Sequence, residues 1–177
     1  MDPRAEVRLE PDPVWTDRYE RERERIEAAS GDGLLGVFHV GSTAIHGVPG
    51  KPELDVLAVY GAYGPMREAA EDIADGGFEL STDDGECIVL SRWDGESAVF
   101  LKLHVQGDER ASNQLLFREY LRENADARRA YETTKREAAA THPEDPRAYI
   151  GAKTETVSSL LADAREAGYA ERLPTFV

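Results

Sequence analysis

Two short strings in this chain hold residues that could do chemistry together. Gly41 and Ser42 open a stretch rich in glycine and proline, GSTAIHGVPGKP (41–52), and Glu53-Leu54-Asp55 follows directly. A glycine that lets backbone approach a ligand, then a hydroxyl and the N–H groups of a helical turn, suits a phosphate. Two carboxylates one residue apart share a face wherever the chain is a strand. Mg²⁺ prefers carboxylate and phosphate oxygens, and paired ions can stabilise attacking and leaving oxygens together. A second strand-like run, SAVFLKLHV, sets Lys102 and His104 on one face and Leu101, Leu103 and Val105 on the other. If the two runs are neighbours in a sheet, Glu53, Asp55, Lys102 and His104 crowd one polar patch.

Each of these residues also has a purely structural reading. Asp55 on an apolar strand is costly to bury unpaired and could simply bond Lys51 or Lys102. Ser42 could cap a helical turn, which is compatible with phosphate binding. His39 could hold the loop in place, and Arg118 with Arg122 forms a solvated helix face unless that helix folds over the loop. A serine hydrolase built from Ser42, His104 and Asp55 has the residue types but no nucleophile elbow. His46, His142 and Cys87 earn no role.

The elements that must position these residues follow from pattern. Asp12 and Pro13 precede a helix with Trp15, Tyr19, Glu22 and Ile26 at helical spacing, ended by Gly31. LLGVFHV (34–40) reads as a buried strand, the loop over 41–52 holds one helical turn after Ser42, and ELDVLAVY (53–60) is a second strand. A short helix runs from Pro65 through Met66, Ala69, Ala70 and Ile73 to Gly76–Gly77. ECIVLSRW and SAVFLKLHV form a hairpin across Asp94–Gly95. From Asn113 the pattern is helical, with a break near Asn124, a loop at THPEDP and a last helix over 147–169 carrying Tyr149, Val157, Leu160 and Leu161. The plan is a helix, a mixed sheet of about four or more strands and a helical C-terminal third.

Composition excludes several classes. The chain has 177 residues, a hydrophobic fraction of 41% and a formal net charge of -14, from 35 acidic and 21 basic residues. Such a surface repels nucleic-acid backbones, so a nucleic-acid partner is not expected. No apolar run is long enough for a membrane span, and nothing at the start reads as a signal peptide, so a cytoplasmic location is expected. One cysteine, Cys87, rules out an internal disulfide and a cysteine metal cluster. Only four of the basic residues are lysines, Lys51, Lys102, Lys135 and Lys153, against 17 arginines. Many carboxylates with few lysines suggest adaptation to high salt, where self-repulsion is screened.

The longer string HVGSTAIHGVPGKPELDV (39–56) resembles the signature of the GrpB family, HIGST(A/S)VPG followed by KP and (I/L)D, within the nucleotidyltransferase superfold. VRLEPDPVWTDRYERERERI, LKLHV and LLFREYLREN match further family elements, as do Tyr131 with Lys135 and Tyr149 with Lys153, so the likeness covers roughly residues 7–157. The resemblance implies an α/β (α+β) fold: a nucleotidyltransferase-like mixed β-sheet flanked by helices, one domain over 1–177 with 113–177 mainly helical. It implies that Gly41 and Ser42 contact phosphate and that Asp55 holds a metal. His39, Lys51, His104, Arg118 and Lys153 would line the pocket. Lys102 joins the phosphate-binding set, and Glu53 and His104 join Asp55 as catalytic and metal-binding candidates.

The sequence departs from the family pattern at two points. His46 lengthens the loop by about two residues. Glu53 stands where members often carry an apolar residue. His104, which matches the family's late strand, occupies the position where an active nucleotidyltransferase would often show a third carboxylate. Some members follow a dephospho-CoA kinase, but this chain has no P-loop.

The expected function is transfer of an NMP from an NTP to an acceptor with Mg²⁺ or Mn²⁺. The alternatives are a non-catalytic module for a nucleotide or another phosphorylated small molecule, or a metal-dependent hydrolase using His39, Asp55 and His104 with Mn²⁺ or Zn²⁺.

Overall fold

The computed structural model describes residues 14–177. Five strands form one mixed sheet in the order β1-β2-β5-β4-β3: β1 (Leu34–Val40), β2 (Glu53–Tyr60), β3 (Glu79–Asp83), β4 (Cys87–Asp94) and β5 (Ser97–Val105). Only β2 and β5 run parallel; the other pairs are antiparallel. The expected mixed sheet flanked by helices is present. LLGVFHV is a partly exposed edge strand rather than a fully buried one, with Leu35 39% exposed.

The two faces of β2 explain the layering. Leu54, Val56, Ala58 and Tyr60 point into the main core. There they meet Trp15 and Ile26 of α1 (Trp15–Ala29) and Met66, Ala69, Ala70 and Ile73 of α2 (Tyr63–Asp75). On the other face, Leu57 and Val59 lie beneath Ala111 and Leu115 of α3 (Glu109–Glu123), while Glu53 and Asp55 emerge beyond them. Helix periodicity supplies these buried stripes. Asp12 and Pro13, expected to open α1, lie outside the described residues; Val14 is its N-cap.

The helical third begins at Glu109, four residues earlier than the pattern from Asn113 implies, because the Asp108 side chain accepts from the Arg110 N–H and caps α3. α4 (Ala125–Thr141) and α5 (Pro146–Glu166) follow, α5 capped by Asp145 with Pro146 in its first turn. The loop between β1 and β2 docks onto these helices: Ile45 and Val48 pack with Leu121, Ala127, Tyr131 and Leu160. No helix among the described residues is long and apolar enough to cross a membrane.

Candidate anion-binding site

The loop after β1, the start of β2, the middle of β5 and the helices α4 and α5 enclose a cleft of about 220 Å³. Its floor is set by Gly41, whose φ of +76° favours glycine. A Cβ there would stand 2.5 Å from Asp55 Oδ2, so the GS turn can pass over the carboxylate only without a side chain. Ser42–Ala44 form a single 3₁₀ turn, and Ser42 Oγ lies 3.5 Å from the Tyr131 hydroxyl.

All four lysines of the chain line this cleft, each from a different element. Lys51 bonds Glu53 at 2.9 Å, and Lys102 Nζ bonds Asp55 Oδ1 at 2.9 Å. Burial works against the Lys102 charge, but the Asp55 carboxylate outweighs it and raises its pKa. Lys135 and Lys153 have no carboxylate partner among the described residues. Lys135 is 1% exposed and donates to the Pro49 carbonyl. Burial, then the charges of Lys153 and Lys51, bring its pKa down to about 7; burial and Lys51 bring that of Lys153 down to about 8.

Aromatic rings take the place of counter-ions. Lys153 Nζ lies 4.2 Å and Lys51 Nζ 5.5 Å from the centre of the Tyr149 ring, and Lys135 Nζ lies 5.3 Å from that of Tyr131. An ammonium over a ring face is attracted without being neutralised. The geometry comes from two Tyr-x-x-x-Lys pairs, because residues four apart share a helix face. Tyr131 and Lys135 do this on α4, and Tyr149 and Lys153 on α5. Four lysine amines face two carboxylates, so cationic groups are in excess in the cleft.

Of the residues singled out in the sequence, Gly41, Ser42, Lys51, Glu53, Asp55, Lys102 and Lys153 come together here. His104 does not. Lys102 and His104 do share a strand face, but in the parallel register Asp55 pairs with Phe100 and His104 with Val59. That is four residues along β2, about 13 Å at the usual rise per residue. His104 instead sits 2% exposed beyond the cleft, its Nδ1 2.7 Å from Asp108 Oδ2 and its Nε2 3.5 Å from Cys87 Sγ. Burial lowers its pKa and pushes the Cys87 thiol up to about 11.

His39 and Arg118 also stand outside the cleft lining. His39 Nε2 is 2.9 Å from Thr43 Oγ1, and its ring stacks on Tyr19 at 5.1 Å. Arg118 donates to the His39 carbonyl and pairs with Glu119. Both brace the loop. A hydrolase centre of His39, Asp55 and His104, or of Ser42, His104 and Asp55, therefore does not assemble.

The donor set does not fit a resident Mg²⁺ or Mn²⁺. Among the described residues no three of His, Cys, Asp and Glu are grouped to hold a metal. Both carboxylates of the cleft carry an ammonium at 2.9 Å, so a cation would have to displace Lys102 or Lys51 and then sit among four ammonium groups.

Sequence reasoning left Lys135, Tyr131 and Tyr149 out of the site. The signal was available: in a chain with four lysines, two close a Tyr-x-x-x-Lys pair.

Comparison with known proteins agrees with the fold and identifies the family. The family model of GrpB protein matches residues 6–163. The UPF0157 protein PA4798 of Pseudomonas aeruginosa is 31% identical over 92% of this chain and 69% of its own length. The UPF0157 protein YqkA of Bacillus subtilis is 24% identical over 85% of this chain, which spans only 45% of that protein. The crystal structure of conserved protein GrpB from Enterococcus faecalis superposes with a TM-score of 0.81 over 92% of this chain and 99% of that one, at 21% identity. A cytoplasmic RNA terminal U-transferase superposes with a TM-score of 0.52 over 77% of this chain and 42% of that one, at 13% identity. The fold is thus nucleotidyltransferase-like, and the chain belongs to the GrpB family.

Proposed function

We propose that the cleft binds a phosphorylated small molecule through its ammonium groups, without a resident divalent cation. The observation that carries this reading is the gathering of every lysine around one cleft in a chain of net charge -14. Phosphate oxygens take the position between Lys135 and Lys153 that no carboxylate fills, with the Ser42 hydroxyl beside them. Desolvation makes such contacts stronger than their surface equivalents. Asp55 and Glu53 hold Lys102 and Lys51 in place, acting as positioning residues.

A second reading, transfer of an NMP from an NTP, is favoured by the fold shared with the U-transferase. It requires Asp55 to release Lys102 and hold Mg²⁺. Calorimetric titration of nucleoside triphosphates in EDTA and in Mg²⁺, with pyrophosphate release followed in parallel, separates the two. The anion-binding reading expects affinity in EDTA, a loss of at least tenfold in Lys153→Met, and binding that persists in Asp55→Asn because no metal is held there. Affinity that needs Mg²⁺, disappears in Asp55→Asn and comes with pyrophosphate release would establish transfer instead. No binding of any phosphorylated ligand would overturn both.

A further inference from the structure

Among the four lysines of the cleft, Lys153 differs in having a nitrogen that nothing engages. Lys51 and Lys102 are ion-paired with Glu53 and Asp55 at 2.9 Å, and a paired ammonium has no lone pair to offer. Lys135 is 1% exposed, and its nitrogen is held by the Pro49 carbonyl. Lys153 is half-buried, so a small molecule can reach it. Its Nζ lies 4.2 Å from the centre of the Tyr149 ring and makes no hydrogen bond or ion pair among the described residues. Burial and the charge of Lys51 also favour its neutral, nucleophilic form.

The wall beside this amine lacks an acceptor. Tyr149 is fully buried, and its hydroxyl has no hydrogen-bond partner among the described residues. A buried donor left unpaired is costly. It sits one helical turn before Lys153 on α5, in a cleft where lysine amines outnumber the carboxylates. A carboxylate attached at Lys153 Nζ would meet both needs, giving the hydroxyl an acceptor and the amines a counter-charge. Such a group can be made in place from CO₂.

We infer that Lys153 is a site of carbamate formation, where CO₂ is taken up as a covalent carboxylate in the cleft. The neutral Nζ adds to the carbon of CO₂. One N–C bond forms, one C–O π pair moves onto oxygen, and one N–H proton goes to solvent, leaving Lys–NH–COO⁻. The Tyr149 hydroxyl donates to a carbamate oxygen, and the neighbouring amines of Lys51 and Lys135 supply the opposing charge. The modification turns a cation into an anion, so CO₂ and a phosphorylated ligand compete for one position. Carbamate formation needs only the free amine and the unpartnered hydroxyl, not a phosphate in the cleft.

The test is ¹³C NMR of protein carrying lysine labelled with ¹⁵N at Nζ, equilibrated with ¹³CO₂ at pH 8, where the Lys153 amine is about half neutral. One carbamate resonance split by ¹⁵N is expected, and the splitting separates it from a carbamate on the α-amine. Alkylation of the carbamate in the intact wild type with a trialkyloxonium salt, followed by peptide mass mapping, is expected to place it on Lys153. Lys153→Arg keeps a cation without a nucleophilic nitrogen and is expected to lose the resonance. Tyr149→Phe keeps the amine and is expected to lower carbamate occupancy at least about fivefold at subsaturating CO₂. A wild-type spectrum without a split carbamate resonance overturns the inference, as does an alkylated mass that maps to Lys51, Lys102 or Lys135. Unchanged occupancy in Tyr149→Phe overturns the part given to its hydroxyl. These outcomes are the same whether or not tripolyphosphate binds, so carbamate formation and the anion-binding reading fail separately.

Discussion

Lys135 shows what the cleft demands of the fold. Holding this amine at about 7 instead of its ordinary 10.5 means that the fold opposes its charge by on the order of 4 kcal/mol at neutral pH. The unfolded chain binds more protons over that interval, so the penalty is full below about pH 7 and fades as pH rises to 10.5. Lys135→Met removes it, while stranding the Pro49 carbonyl costs back about 1 kcal/mol. The variant is expected to be about 2–3 kcal/mol more stable than wild type at pH 7 in urea unfolding and no more stable at pH 10.5, and to bind phosphates poorly. Lower stability at pH 7 would contradict a strained ammonium. The same groups set the pH profile of binding, because an anion holds both amines protonated. With Lys135 at about 7 and Lys153 at about 8, affinity for tripolyphosphate should fall at least tenfold from pH 7 to pH 9. A flat profile would remove both lysines from the site. At this scale the sequence was legible for Ser42, Glu53 and Asp55, whose types announce chemistry. It was less so for Lys135, marked only by its Tyr-x-x-x-Lys spacing, because its place in the cleft depends on α4 and α5 packing beside the start of β2 and the middle of β5.

Elements decide which of the chemically capable residues meet. Alternation along β5 places Lys102 and His104 on one face, but alternation cannot give the parallel register with β2, which is fixed by a crossover through α2, β3 and β4. Nor can it show that α3 covers the far half of that face, burying Leu57 and Val59. His104→Ala is therefore expected to lower stability by about 1–3 kcal/mol, through loss of its bond to Asp108 at the start of α3, and to leave phosphate affinity within twofold. A large loss of affinity with unchanged stability would return His104 to the site. The GS turn is the opposite case. Gly41→Ala must adopt a φ of +76° and push its methyl against Asp55 Oδ2, so a loss of about 1–2 kcal/mol in thermal melts is expected, together with weaker binding as Lys102 shifts. The hairpin of β4 and β5 was plain from Asp94–Gly95, with Gly95 at φ +65°. β3 was not, since every residue of ELSTD is exposed and no apolar alternation marks it.

For the whole molecule, charge is distributed with a clear division. Seventeen arginines and 35 carboxylates cover the chain, and the lysines are withheld for one cleft. An acidic surface repels a phosphorylated ligand as well as itself, so on the proposed reading the lysine cleft would act on the ligand at short range. Self-repulsion predicts that the melting temperature rises by at least about 5 °C between 0.1 and 2 M KCl, checked by scanning calorimetry. A constant or falling value would show that the surface charges are already balanced. The mixed sheet and the helical third were readable from pattern and family resemblance. The strand order was not, because non-local pairing leaves no periodic trace. The most direct test of the account uses the scarcity of lysine. Side-chain NMR of lysine-labelled protein gives four signals, all from the cleft, which can be titrated with pH in the absence and presence of tripolyphosphate. The account predicts two amines near 7 and 8 in the free protein, and a return of both toward the ordinary value of 10.5 when the anion is bound. Four ordinary titrations, indifferent to the anion, would contradict it.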